Sequence, residues 1–225
     1  MRTTLLFLFL GFAVLSAADH HAPAVSPADA LNRLAIGNSR FVAGKRDVST
    51  NTGYDVAARA KTAQGQHPFA AILTCADSRL SPEIVFDQHL GDLFVVRNAG
   101  NIAEPVGEGS MEYGVAHLGI SLIMVLGHSA CGAVGAVGGS DDALPGNLSA
   151  LQNEMSGLRQ WVIATLAKDS NKDTVMAEAV KVNAKRQAEA MVDESPALRA
   201  AIAAGKLKVV AAVYDLKTGV VSMVE

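Results

Sequence analysis

Four short apolar runs constrain this chain more than any other feature. They are residues 68–74 (PFAAILT), 93–96 (LFVV), 121–126 (SLIMVL) and 207–213 (LKVVAAV). Apolar runs of this length without alternation suit strands covered on both faces, which is how parallel strands flanked by helices are buried. The segments between them carry helix signals. Ser81-Pro82-Glu83 starts a short helix that reaches Phe86, and a helix across residues 110–118 is ended by Gly119. Another helix runs over 131–137. Residues 148–167 and 174–192 have helical spacing, with Val180, Ala184, Ala188 and Met191 in one stripe. Ser195-Pro196 opens a last helix, closed by Gly205. Strands alternating with helices predict an α/β fold with a mainly parallel sheet of four strands. After the turn at Lys217-Thr218-Gly219, residues 220–224 return as an antiparallel edge strand.

An N-terminal helical arm precedes the sheet. Ser26 is its N-cap and Pro27 its first residue, and Leu31, Leu34 and Ala35 share one face. Residues 38–44 continue or close this element, and their apolar side chains are expected to dock on a partner surface, a role that the face of Leu31 and Leu34 also fits. A shorter helix is expected over residues 57–63. Residues 1–18 read as a signal peptide: Arg2, an apolar stretch over 5–15, then Ser16-Ala17-Ala18 as the cleavage region. A membrane-spanning helix needs about 20 apolar residues, so no stable span is expected after cleavage. Residues 19–225 are then one domain of an exported, periplasmic or otherwise secreted protein. Half the chain is hydrophobic and 18% is charged, a globular composition. The net charge of -3 gives no electrostatic reason to expect nucleic acid as a partner.

The polar residues that follow two of the runs carry the chemistry. Thr74-Cys75-Ala76-Asp77-Ser78-Arg79 follows the first, and Gly127-His128-Ser129-Ala130-Cys131-Gly132 follows the third. In open parallel sheets, functional groups gather beyond the carboxyl ends of the strands. Cys75, His128 and Cys131 are a suitable ligand set for one zinc ion, and a set of three leaves the fourth position for water. By count alone, two cysteines in an exported chain suggest one disulfide. Asp77 and Arg79 are consistent with an ordinary ion pair.

These two stretches resemble the signature motifs of the β-class carbonic anhydrases. Asn38-Ser39-Arg40-Phe41, the segment from Phe94 to Asn101 and the segment from Val213 to Gly219 are also similar to that family. The resemblance implies reversible hydration of carbon dioxide to bicarbonate and a proton, by zinc-bound hydroxide. It implies one zinc ion per chain on Cys75, His128 and Cys131, with Asp77 and Arg79 as the catalytic dyad. Asp77 is also a metal ligand in the family's closed state. The bicarbonate-regulated subgroup has tryptophan where this chain has Ile72, so the open form is expected, with Arg97 in a structural role. Of His67, His89 and His117, His89 is the candidate proton shuttle. The resemblance further implies a homodimer or a larger assembly of dimers. Hydrolysis of carbon disulfide or carbonyl sulfide on the same site, and a non-catalytic zinc-binding protein, are the alternatives.

Overall fold

The computed structural model describes residues 25–47, 54–139, 142–169 and 171–225. The expected leader over residues 1–18 lies outside them. The elements run α1 (Pro27–Val42), α2 (Val56–Thr62), β1 (Ala70–Cys75), α3 (Pro82–Val85), β2 (Leu93–Asn98), α4 (Pro105–Leu118) and β3 (Leu122–His128). They continue with α5 (Gly132–Gly138), α6 (Leu148–Glu154), α7 (Ser156–Leu166), α8 (Lys172–Glu194), α9 (Pro196–Ala203), β4 (Lys208–Tyr214) and β5 (Val221–Val224). The strands form one sheet in the order β2-β1-β3-β4-β5. All neighbours are parallel except β4 and β5, which are antiparallel. This is the expected architecture.

Burial explains the apolar runs. Every residue of β1 and β3 is buried, because these strands sit inside the sheet with helices on both faces. Alternate residues feed two cores. Ile72, Met124, Leu126 and Ala212 pack with Leu34, Val134 and Leu158 on one face. Leu73, Ile123, Val125 and Ala211 pack with Met111, Met191 and Leu198 on the other. The expected stripe of α8 is buried throughout, from Val180 to Met191. β2 departs from expectation: it is an edge strand whose residues beyond Leu93 are partly buried or, at Arg97, exposed. Its four-residue apolar run carries no signal that separates an edge from a centre.

Two boundaries also differ. α4 starts at Pro105 rather than near Ser110, because the Glu104 carboxylate caps it by accepting from the Val106 and Gly107 amides. The single helix expected over 148–167 is broken at the buried Met155 into α6 and α7. Among the described residues, no helix is long and apolar enough to cross a membrane.

The arm packs on its own chain. Ala30, Leu34, Gly37 and Asn38 are its buried residues, whereas Ala35 is exposed. The Asn38 side chain donates to the Val85 and Gly219 carbonyls and accepts from the Val221 amide, tying α1 to α3 and to the β4–β5 turn. So the face of Leu34 is not left for a partner. At Gly37 a Cβ would lie 1.7 Å from the Phe86 carbonyl oxygen, which only backbone movement could relieve. Gly37→Ala is expected to destabilise the fold by about 1–3 kcal/mol or more, read as a lowered thermal midpoint.

Because β1 to β4 are parallel, their carboxyl ends share one rim. Cys75 pairs with Asn98, and His128 with Tyr214. The rim therefore collects the polar residues that follow each run.

Candidate metal centre

Cys75 is the last residue of β1, His128 the last of β3, and Cys131 the N-cap of α5. Ala130, with φ of +53°, turns the chain in the left-handed region so that Cys131 comes back to face His128. One ligand atom from each of Cys75, His128 and Cys131 lies within 4.8 Å of the others, and all three residues are buried. The two sulfurs are 3.9 Å apart and both thiols are free, so no disulfide joins them.

The donor set fits a zinc ion. His128 Nδ1 lies 2.9 Å from the Ser129 carbonyl oxygen; with Nδ1–H donating there, the Nε2 lone pair turns toward the sulfurs. Nε2 is buried and has no hydrogen-bond partner, a costly arrangement that a cation in the centre of the cluster would relieve. Two soft thiolates and an imidazole are ligands that zinc accepts in tetrahedral geometry.

Electrostatics already favour charge on the first sulfur. The Cys131 S–H, the neighbouring His128 and the Gly100 amide hold the Cys75 thiol down at about 4, against the opposing effect of burial. Cys131 is pushed up, first by its contact with the Cys75 thiolate and then by burial. Burial works against charge on His128, but the Cys75 thiolate and the Ser129 carbonyl outweigh it and raise its pKa.

Asp77 stands beside the cluster and is held by Arg79. The guanidinium donates from Nε to Oδ1 at 2.9 Å and from Nη2 to Oδ2 at 2.7 Å, and the Arg79 backbone amide adds a third bond to Oδ1 at 2.9 Å. These bonds hold the Asp77 carboxyl well below the usual carboxylate range. Asp77 Oδ2 is 3.8 Å from His128 Nε2, yet Asp77 is not part of the mutually close donor set. Arg97 bonds to backbone: Nε donates to the Cys75 carbonyl and Nη2 to the Asp77 carbonyl. It thus fixes the loop that carries both residues, the structural role expected of it.

His67, His89 and His117 do not reach the site within their own chain. His89 precedes β2, whose first residue pairs with Ala70 at the start of β1. It therefore sits at the opposite rim, roughly 16 Å away along the strand, beside Asp92. His67 precedes β1 at that same rim, and His117, in the last turn of α4, stacks on Tyr113. A shuttle role for His89 in its own chain is thereby overturned: closeness in sequence to Cys75 is lost when β1 carries the chain across the sheet.

Three contributors escaped sequence reading. The Gly100 amide donates to Cys75 Sγ at 3.4 Å, and the buried Asn183 and Gln187 of α8 bond to the Gly100–Ala103 segment. The last two carried a signal. They lie at core-facing spacing beside Val180 and Ala184, where a carboxamide must find a partner.

The family model described as carbonic anhydrase matches residues 70–221. Carbonic anhydrase 2 of Mycobacterium tuberculosis is 48% identical over 126 residues, 55% of this chain and 59% of the relative. A carbonic anhydrase of Synechococcus elongatus is 33% identical over 172 residues, 70% of this chain and 60% of the relative. The chain thus spans about three fifths of the length of these curated relatives. Among solved structures, the Coccomyxa β-carbonic anhydrase in complex with acetazolamide superposes with a TM-score of 0.68 at 30% identity, covering 84% of this chain and 83% of the other. A tetrameric β-carbonic anhydrase from Sordaria macrospora gives 0.68 at 26% identity, covering 86% of this chain and 96% of the other.

Proposed function

This chain belongs to the carbonic anhydrase family, in its β class, and from that premise we propose that it catalyses the reversible hydration of carbon dioxide to bicarbonate and a proton. The observation that carries the reading is the convergence of Cys75, His128 and Cys131 next to an Asp77 already paired with Arg79. Cys75, His128 and Cys131 would hold one zinc ion per chain. Zinc bound there supplies hydroxide at neutral pH, by lowering the pKa of a water from ~15.7 to about 7.

The remaining chemistry belongs to the side chains. Asp77 Oδ2 takes only one of the three bonds from Arg79 and keeps a lone pair on the side of His128. There it accepts the hydrogen bond of the attacking hydroxyl and orients its lone pair toward carbon dioxide. Arg79 keeps Asp77 ionised and outside the ligand set, although its Oδ2 faces His128, which corresponds to the open form. If that pair broke, Asp77 would be free to become the fourth ligand and close the site. Arg79 and Asp77 are both partly exposed, so solvent and substrate reach this side of the cluster.

The protein acts as a homodimer or a larger assembly of dimers. The tetrameric Sordaria macrospora relative supports this. So do Ile36 and Val42 on the outer side of α1 and Val106 and Tyr113 on α4, all apolar and exposed.

The test is stopped-flow carbon dioxide hydration on the purified protein, with zinc content measured on the same sample across neutral to alkaline pH. Activity with one zinc per chain is expected. Full zinc occupancy without hydration at any pH would overturn this reading and turn attention to carbon disulfide and carbonyl sulfide.

A further inference from the structure

Residues 98–103 pass between the metal cluster and α8, and they are gripped at several points. The Asn98 side chain brackets Ile102, accepting from its amide and donating to its carbonyl, both at 2.7 Å. From α8, Asn183 Nδ2 donates to the Gly100 carbonyl at 2.8 Å, and Gln187 Oε1 accepts from the Ala103 amide at 2.8 Å. Gln187 Nε2 also reaches Asn183 Oδ1 at 3.5 Å. Both carboxamides are buried, at 1% and 6% exposure, so these bonds are held away from water.

Gly100 joins this grip to the sulfur. Its amide donates to Cys75 Sγ while its carbonyl is held by Asn183. Its φ of +87° favours glycine, and a Cβ there would press on Met155 and Ala133. The residue is thereby confined in conformation, and among the described residues Asn183 is the one whose side chain bonds its carbonyl.

We propose that Asn183 is a positioning residue for the metal centre. By holding the Gly100 carbonyl it aims the Gly100 N–H at Cys75 Sγ, and so sets how strongly that sulfur donates to the metal. The proposal rests on the reading of Cys75 as a metal ligand. A thiolate that shares a lone pair with an N–H passes less charge to the metal and leaves it a stronger Lewis acid. Outer partners of this kind typically govern metal affinity by about 10–100-fold.

The experiment compares the full-length wild-type protein with Asn183→Ala, Asn183→Leu and Gln187→Leu, each loaded with cobalt in place of zinc. The readout is the thiolate-to-cobalt charge-transfer band. Both Asn183 variants are expected to move the band to lower energy, because a sulfur released from the Gly100 N–H donates more strongly to the metal. Gln187→Leu unties Ala103 and removes the long 3.5 Å contact to Asn183 Oδ1 but leaves Asn183 Nδ2 on the Gly100 carbonyl, so it is expected to lower thermal stability and to move the band far less. A band unmoved by the Asn183 changes, or moved equally by Gln187→Leu, overturns the proposal. Cadmium-loaded wild-type protein gives a check that needs no variant: scalar coupling between the Gly100 amide proton and the cadmium nucleus is expected, and its absence overturns the proposal. A wild-type protein that binds none of these metals removes the metal reading of Cys75 and this proposal together, whereas a bound metal with an unmoved band removes the proposal alone.

Discussion

Cys131→Ala is expected to purify with far less than one zinc per chain and to lose carbon dioxide hydration almost to background. The variant removes one of three side-chain ligands from a buried cluster and leaves Cys75 and His128 facing a cavity. Losing an outer-shell partner typically costs about 10–100-fold in metal affinity, and losing a ligand costs more. Zinc analysis and stopped-flow hydration on one sample decide the matter; stoichiometric zinc with wild-type turnover would remove Cys131 from the site. The wild-type protein should show the same dependence in its metal uptake. In the metal-free cluster Cys75 is the thiolate and Cys131 keeps its proton, because the adjacent Cys75 thiolate pushes it up. Binding must expel that proton. The apparent zinc affinity therefore falls as pH falls, by about tenfold per unit for each proton released.

Asp77→Asn is expected to keep its zinc and lose about 10²–10⁴-fold in hydration rate, the usual worth of a positioned proton acceptor. The amide keeps the shape of the carboxylate, but turns one of two acceptor oxygens into a donor that faces Arg79. Zinc content separates two roles. Loss of activity with zinc retained makes Asp77 the acceptor, whereas loss of both would put it in the ligand set. The pH profile follows from the direction of its shift. Hydrogen bonds from Arg79 depress the folded-state pKa of Asp77. The stabilising pair is thus fully present above the ordinary carboxylate pKa, and is lost only as pH falls through the depressed one. At neutral pH the pair is intact, so titration of Asp77 does not set the limb of the activity profile there.

Much of this arrangement was legible because its signals are local. A buried strand, a turn and a ligand sit within a few residues of one another at Leu73 to Cys75 and again at Leu126 to Cys131, and parallel pairing then brings the two ends together. The parts that were not legible depend on three-dimensional placement. His89 is near Cys75 in sequence, yet it lies at the other rim of the sheet. The apolar spacing of Leu151, Leu158 and Val162 runs on past Met155, so nothing in the pattern marks the break between α6 and α7. The Glu104 cap uses a residue type that seldom caps helices. Leu34 reads as an apolar face awaiting a partner, and whether that partner is α3 or a second copy depends on how the arm folds back.

The placement of the two cysteines has a mechanical consequence. One ends β1 and the other opens α5, 56 residues later. A metal held between them is a removable tether across two strand–helix units, and its hold depends on supply. Ligand that binds only the folded chain adds stability as the logarithm of its concentration, about 1.4 kcal/mol for each tenfold excess over Kd. With zinc as that ligand, the unfolding temperature of this protein becomes a gauge of the free zinc around it.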